Sequence, residues 1–327
     1  MKAAYYEGFG LASEVLKVGE IATPAPGPGE VLVRVHAAGV NPSDVKLRAG
    51  ARPGATMGWP VMVPCSDGAG VIEAVGEGVD AGRVGERVWL WNGHWRRQFG
   101  TSAEYIALPS EQAVFLPEGT GFAEGACFGI PAMTAWMALF QDGPIDGQRV
   151  LVTGGAGTVG RYAVQMARLG GAAQVFTTVS GPEKAAHAGA CDAAINYREE
   201  DVADRVMDLT SGHGVDRIVD VDFGANLDAT RRMIAEGGTV ASYASMGDPT
   251  PALPFYEFMF RNVRLHMLIV YLLGPATRRR GEAQLRGWLE AGALSHAVAA
   301  AFPLDEAARA HEAVEAGEKL GTVVVTV

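Results

Sequence analysis

The feature that most limits what this chain can become is Thr153-Gly154-Gly155-Ala156-Gly157-Thr158-Val159-Gly160. It lies directly after an apolar strand, Arg149 to Val152, and directly before a helical run in which Ala163, Met166 and Ala167 share one face. Gly155, Gly157 and Gly160 spell G-x-G-x-x-G. The first permits the tight turn, the second lets backbone approach a pyrophosphate, and the third lets helix pack close on sheet. The helix start then offers its unbonded N–H groups to the anion. Around the loop, VLVTGG, AQVFTTV, DAAINY, VDRIVDVD, GTVASYAS and VRLHMLIVYLL alternate with helical stretches such as RYAVQMARLG. Six strands alternating with helices describe a doubly wound parallel sheet, a Rossmann architecture. The expected ligand is a dinucleotide, with Gly155, Ala156, Gly157, Thr158, Val159 and Gly160 around its pyrophosphate.

Which dinucleotide depends on the end of the second strand, where an acid about 20 residues on would accept from the ribose 2′-OH of NAD. Here that place reads Thr177-Thr178-Val179-Ser180-Gly181-Pro182-Glu183-Lys184. No acid ends the strand. Ser180 can donate to a 2′-phosphate and Lys184 can neutralise it, so NADPH is the expected cofactor; the alternative is that Lys184, beside Glu183, is only a solvated helix residue.

The rest of the chain has a different texture. At 327 residues it is long enough for about two cores. Residues 1–123 carry short strands broken by turns, among them EVLKVGEI, VLVRVHAAGV, GVIEAVG and RVGERVWLW, which predict a β-barrel-like unit. Residues 124–268 are the Rossmann segment, and 269–327 return to the first domain. That return holds the helical RRRGEAQLRGWLEAG, a helix capped by Asp305 and ending near Gly317, and the closing strand GTVVVTV. Arg278-Arg279-Arg280 reads as a solvated helix face, and Leu265 to Leu273 as an apolar edge strand that a second copy would cover.

Composition removes some functions. The net charge of −10 repels phosphate backbones and argues against a nucleic-acid partner. No apolar run of about 18 residues is present, so no membrane span is expected and the expected location is cytoplasmic. Cys65, Cys127 and Cys191 lack metal or disulfide spacing and read as small apolar residues.

Taken in order, VHAAGVNPSDVKLRAG (35 to 50), PCSDGAGVIEAVGEGV (64 to 79), GTSAEYIALP (100 to 109), GIPAMTAWMAL (129 to 139), the glycine loop, INYREED (195 to 201) and AHEAVEAGEKLGTVVV resemble the zeta-crystallin-type NADPH:quinone oxidoreductases. These are zinc-free members of the medium-chain dehydrogenase/reductase superfamily. The resemblance implies a discontinuous GroES-like catalytic domain built from both chain ends, a Rossmann domain between, an active site in their cleft, and a homodimer or homotetramer. Where zinc-dependent relatives carry ligands, this chain has Asn41, Ser66-Asp67 and Ile130, which lack the thiolate and imidazole of a catalytic zinc site. No metal is expected.

Direct hydride transfer to a quinone or other electrophilic small molecule is then the implied chemistry. In the family's N-P-x-D pattern, Asn41 can bond the substrate carbonyl or the nicotinamide ribose, or merely stabilise the turn before Pro42. Asp44 and Arg48 lie in the same segment, as site residues or as a structural pair. Lys46 stands where many relatives have Tyr; it can orient an anionic or quinoid oxygen, or reach solvent. By resemblance Thr134 and Tyr197 line the cofactor site, Tyr197 near the adenosine end. Ser242, Tyr243 and Met267 are candidates from later strand ends, and Lys319 is the late-chain cation near NADPH. The aromatic and basic loop Trp89 to Arg97 either caps the substrate site or belongs to the core. Two other functions share these features: an NADPH-dependent enone or enoyl reductase, and a non-catalytic, crystallin-like NADPH- or RNA-binding protein.

Overall fold

A computed structural model describes residues 1–51 and 54–327. The chain divides into two compact units, one formed by Met1–Ile130 with Glu282–Val327, the other by Pro131–Gly281. The divisions fall at 130/131 and 281/282, against the 123/124 and 268/269 expected from sequence texture.

The first unit opens with β1 (Lys2–Tyr5), helix α1 (Ala12–Val15) and β2 (Lys17–Glu20). It continues through β3 (Glu30–Val40), α2 (Pro42–Arg48), β4 (Asp67–Val75), β5 (Arg87–Leu90), β6 (Tyr105–Pro109), β7 (Ala113–Phe115) and α3 (Phe122–Gly125). The strand expected over EVLKVGEI is shorter than its pattern. Pairing with β1 covers only Lys17 to Glu20, and the residues ahead of it coil into α1.

The second unit runs α4 (Met133–Phe140), β8 (Arg149–Val152), α5 (Thr158–Leu169), β9 (Gln174–Val179), α6 (Pro182–Ala188) and β10 (Ala193–Asn196). After α7 (Val202–Leu209) come β11 (Val215–Asp220), α8 (Phe223–Met233), β12 (Ile234–Ser242), α9 (Phe255–Phe260) and β13 (Arg264–Met267). Helix α10 (Pro275–Glu290) leads back to the first unit and to β14 (Val298–Pro303), α11 (Ala307–Glu315) and β15 (Thr322–Thr326).

β3 organises the first unit. Val31, Val33 and Val35 enter one hydrophobic cluster, and Ala38 and Val40 enter another. The phase change falls at a register shift between Val35 and Ala37, where an extra residue turns alternate side chains to the other face. β4 lies on one edge of β3; on the other edge β6 pairs with Glu30 to Arg34 and β15 with Ala37 to Val40. The expected barrel does not close: the sheet runs β14-β15-β3-β4-β5-β7, with β6 branching from β3, and its end strands β14 and β7 do not pair with each other among the described residues. One long strand serving three partners spreads the sheet instead of curling it shut.

The second unit is a six-stranded parallel sheet ordered β10-β9-β8-β11-β12-β13. This is the doubly wound order, whose direction reverses between β8 and β11, and ligands of such sheets sit outside the carboxyl ends of those strands. Leu151, Phe176, Ile218 and Val240 make an apolar layer beneath that edge, as strands covered on both faces require.

Three further sequence expectations need correction. The apolar stretch Leu265 to Leu273 is a strand only to Met267: β12 ends at Ser242, whose carbonyl takes Leu268 N–H, and the chain then turns through a 3₁₀ segment at Val270–Leu272. Arg278-Arg279-Arg280 is not a uniformly solvated face. Arg278 is 2% exposed and donates to the Val270 carbonyl, while Arg280 donates to Phe140 O and lies over the Trp136 ring. Asp305 caps no helix; it pairs with Lys2, and α11 starts only after a 3₁₀ turn at Leu304–Glu306.

Candidate active site

The glycine loop spans the end of β8 and the start of α5, and each glycine has its own steric reason. A Cβ on Gly155 would lie 1.9 Å from Thr177 Oγ1, and one on Gly160 would lie 2.3 Å from the Gly154 carbonyl oxygen. Gly157 is different. It is exposed at the tip, and its nearest obstacle is the Gly154 oxygen at 3.2 Å, so the protein leaves that side open to a ligand. The loop is tied to β9 by Gly154 N–H donating to Thr178 Oγ1 at 2.9 Å and Gly155 N–H to Thr178 O at 3.2 Å. Ala156 and Gly160 are buried, while Thr158 and Val159 are half-buried in the first turn of α5.

Across the switch point, Asp220 closes β11. Its Oδ1 accepts from Thr153 Oγ1 at 2.9 Å, Asn226 Nδ2 at 2.7 Å and Asp222 N–H at 3.1 Å. Thr153 Oγ1 in turn accepts from Val221 N–H at 2.9 Å, so the loop and the β11–α8 turn are one network. Burial pushes the Asp220 carboxyl up, against the hydrogen bonds that favour its ionised form. A dinucleotide pyrophosphate fits here: an open glycine tip, a helix N-terminus and a braced loop converge on one place. Ser180 is half-buried just beyond β9, and Lys184 is exposed in the first turn of α6, clear of the sheet.

In the first unit Asn41 precedes α2, and Asp44 closes a capping box by accepting from Asn41 N–H at 2.9 Å. Asn41 Nδ2 and Ile130 N–H both donate to Asp67 Oδ2, each at 2.9 Å. The three positions where zinc-dependent relatives carry ligands are therefore bonded to one another through Asp67, and among the described residues no metal-ligating group of three His, Cys, Asp or Glu side chains occurs. This donor set does not fit a catalytic zinc. Arg48 is fully buried, donating to the Gly10 carbonyl and to Glu315, an anchor for α2 on α11. Lys46 is half-buried on α2.

Family models match two stretches, an alcohol dehydrogenase GroES-like domain over residues 27–118 and a zinc-binding dehydrogenase over residues 189–325. The human quinone oxidoreductase is 33% identical over 319 residues, covering 95% of this chain and 93% of its own. A Pseudomonas aeruginosa quinone oxidoreductase is 32% identical over 319 residues and covers 95% of both chains. The chain belongs to the zinc-free quinone oxidoreductase family of the medium-chain dehydrogenase/reductase superfamily. Among solved structures, a mycobacterial protein complexed with NADPH superposes with a TM-score of 0.86 at 30% identity over 100% of both chains. A 2-haloacrylate reductase superposes with a TM-score of 0.87 at 29% identity, covering 100% of this chain and 99% of that one.

The remaining candidates of this family member are distributed as follows. Ser242, Tyr243 and Met267 come together around a cavity of about 430 Å³ that Phe223, Leu253 and Leu265 also line. The Ser242 hydroxyl lies 3.0 Å from Ala244 O, burial raises the Tyr243 phenol, and Met267 is 60% exposed. Thr134 is buried in the first turn of α4, and Tyr197 stands just past β10, 53% exposed. Lys319 belongs to the first unit, where Nζ donates to Gly321 O at 2.8 Å and burial lowers its pKa. In the Trp89–Arg97 loop, Trp89, Trp91 and His94 are buried, placing that end in the core, while Arg96 is exposed. Sequence reasoning missed Asp220 and the bracing role of Asp67. The only local sign of either was an acid at a strand end.

Proposed function

We propose that this chain is a zinc-independent, NADPH-dependent oxidoreductase that reduces quinones by hydride transfer. Its carrying observation is the glycine loop, open at Gly157 and braced through Thr153 to Asp220, with Ser180 instead of an acid directly after the second strand. When bound, NADPH supplies a hydride from its nicotinamide to an electron-poor acceptor, and solvent supplies the proton that completes the hydroquinone. The protein's part is placement. Gly157 and the N-terminus of α5 receive the pyrophosphate, Ser180 and Lys184 receive the 2′-phosphate, and Asn41 bonds the acceptor carbonyl. Thr134, Tyr197, Ser242, Tyr243, Met267 and Lys319 are assigned to the cofactor's surroundings, and Asp44, Lys46 and Arg48 to the segment that holds Asn41.

Zinc independence is supported by the side-chain chemistry at Asn41, Ser66-Asp67 and Ile130, where amide, hydroxyl, carboxylate and alkyl groups replace a thiolate-imidazole set. A homodimer, alone or within a tetramer, is supported by β13 at the sheet edge beside exposed Met267, Ile269 and Leu272. Three free cysteines, two of them buried, suit a reducing cytoplasm. No helix of the described residues is long and apolar enough to cross a membrane.

The likeness to a 2-haloacrylate reductase favours a second reading, reduction of an activated C=C bond. One experiment separates the two: NADPH oxidation followed against a panel of quinones, enones and aldehydes. Turnover of quinones at least about tenfold better than of enones is expected, and a preference for enones would replace the first reading with the second. Activity that disappears on chelation and returns with zinc would overturn the metal-free mechanism.

A further inference from the structure

If Asn41 is the polar contact to the acceptor, something must fix which end of its amide faces the ligand. The oxygen and nitrogen ends have nearly the same shape, so only hydrogen bonding tells them apart. An ionised carboxylate accepts and cannot donate. Asn41 Nδ2 donates to Asp67 Oδ2 at 2.9 Å, so the side of Asn41 against Asp67 is the Nδ2 side.

Asp67 is itself tightly held. It is 0% exposed, and its Oδ2 also takes Ile130 N–H at 2.9 Å. Its carbonyl accepts from Thr101 Oγ1 at 2.5 Å. Two residues earlier, Cys65 sits in the left-handed region at φ 75°, a conformation that side chains rarely adopt. A Cβ at position 129 would fall 2.2 Å from Asp67 Oδ1, so the carboxylate fits only because Gly129 lacks one. Strand β4, the π-helical turn at Phe128–Ala132 and the residue that starts α2 thus meet on one oxygen of a buried acid.

We propose that Asp67 is a positioning residue: it commits one Nδ2 hydrogen of Asn41 to itself and so presents the other to the carbonyl oxygen of the acceptor. This rests on the reading of Asn41 as the acceptor contact. The acceptor oxygen gains negative charge as hydride arrives, and a donor aimed beforehand stabilises that charge without reorganising. With the carboxylate removed, the Nδ2 end loses its acceptor, and only the capping-box contact of the Asn41 side chain with Asp44 N–H is left to orient the amide.

The test compares Asn41→Ala, Asp67→Ala, Asp67→Asn and the double alanine variant, with 1,4-benzoquinone as acceptor and NADPH affinity measured separately by fluorescence. Asp67→Ala is expected to lower kcat about tenfold or more while leaving NADPH affinity unchanged, and to add little to Asn41→Ala. Asp67→Asn is expected to recover most of the loss, because Ile130 N–H holds the new amide with its oxygen where Oδ2 was. Additive losses in the double variant, or no recovery in Asp67→Asn, overturn the proposal. Loss in Asn41→Ala with none in Asp67→Ala overturns it alone; loss in Asp67→Ala with none in Asn41→Ala removes the Asn41 reading and the proposal with it. Should Asp67→Ala not fold, the Asn41 side-chain amide in the unmodified protein, assigned by its absence in Asn41→Ala, still decides. One Nδ2 proton protected from solvent exchange is expected, and rapid exchange of both overturns the proposal.

Discussion

Asp220 and Asp67 are both buried aspartates at a strand end, one in each unit, and both gather hydrogen bonds on a single oxygen. They brace different things. Asp220 holds a loop whose proposed contact with a ligand is backbone, so the side chains beneath it need only keep the peptide groups in place. Asp67 holds another side chain, the Asn41 amide, whose two ends differ chemically. A backbone site therefore announces itself by glycines, whereas a side-chain site depends on partners that no short motif spells out.

The first way to sharpen this contrast is acid. Burial, with Arg48 and His94 nearby, lowers His311 of the first unit to about 3, whereas burial raises Asp220 of the second. The unfolded chain takes up a proton at His311 near its ordinary value while the fold does not. The His311 contribution is thus full above about pH 6.5 and falls by about 1.4 kcal/mol per pH unit as pH drops from there toward 3. Asp220 runs the other way: its raised carboxyl favours the fold below the ordinary carboxylate range, a contribution lost as pH rises through its folded pKa. Urea titrations between pH 7 and 4 should show this slope, and His311→Gln should flatten it by about one proton. An unchanged slope would break the assignment.

The second concerns the glycines. Gly160→Ala drives a Cβ to 2.3 Å from the Gly154 oxygen, so the loop must shift; overpacking of this kind costs about 1–3 kcal/mol. Gly157→Ala meets that oxygen only at 3.2 Å and should leave the melting temperature nearly unchanged. Its methyl group instead occupies the ligand's approach, and NADPH affinity should fall about tenfold or more. Equal thermal stability of the two variants would show that the glycines share one role.

The smallest effect expected is in cofactor choice. Lys184 is exposed, so its proposed contact with a 2′-phosphate would be one charge-assisted hydrogen bond at the low end of the range, about 1.5 kcal/mol. Lys184→Ala should weaken NADPH about tenfold and spare NADH. Equal kcat/KM for both cofactors in the unmodified protein would remove the basis for the preference.

Legibility followed the same division. The strands of the parallel sheet, the loop and the helix after it could be read because each is set by residues adjacent in sequence. Where reading failed, a distant partner had decided. β13 stopped at Met267 because β12 ended, Arg278 was drawn in by the Val270 carbonyl, and Asp305 was taken by Lys2 instead of a helix end. Arg48 found Glu315, 267 residues away.

By itself, the sequence determined the doubly wound sheet, the glycine loop at its switch point and the lack of an acid after the second strand, since period, φ preference and local charge act over a few residues. Only the tertiary structure decided that β3 would carry β6 and β15 on one edge, that the sheet around it would stay open, and that Asp67 would take Asn41 and Ile130 together. Those outcomes depend on which distant strand wins a hydrogen-bonding edge and which buried donor reaches a carboxylate, and neither choice is encoded in any one stretch of chain.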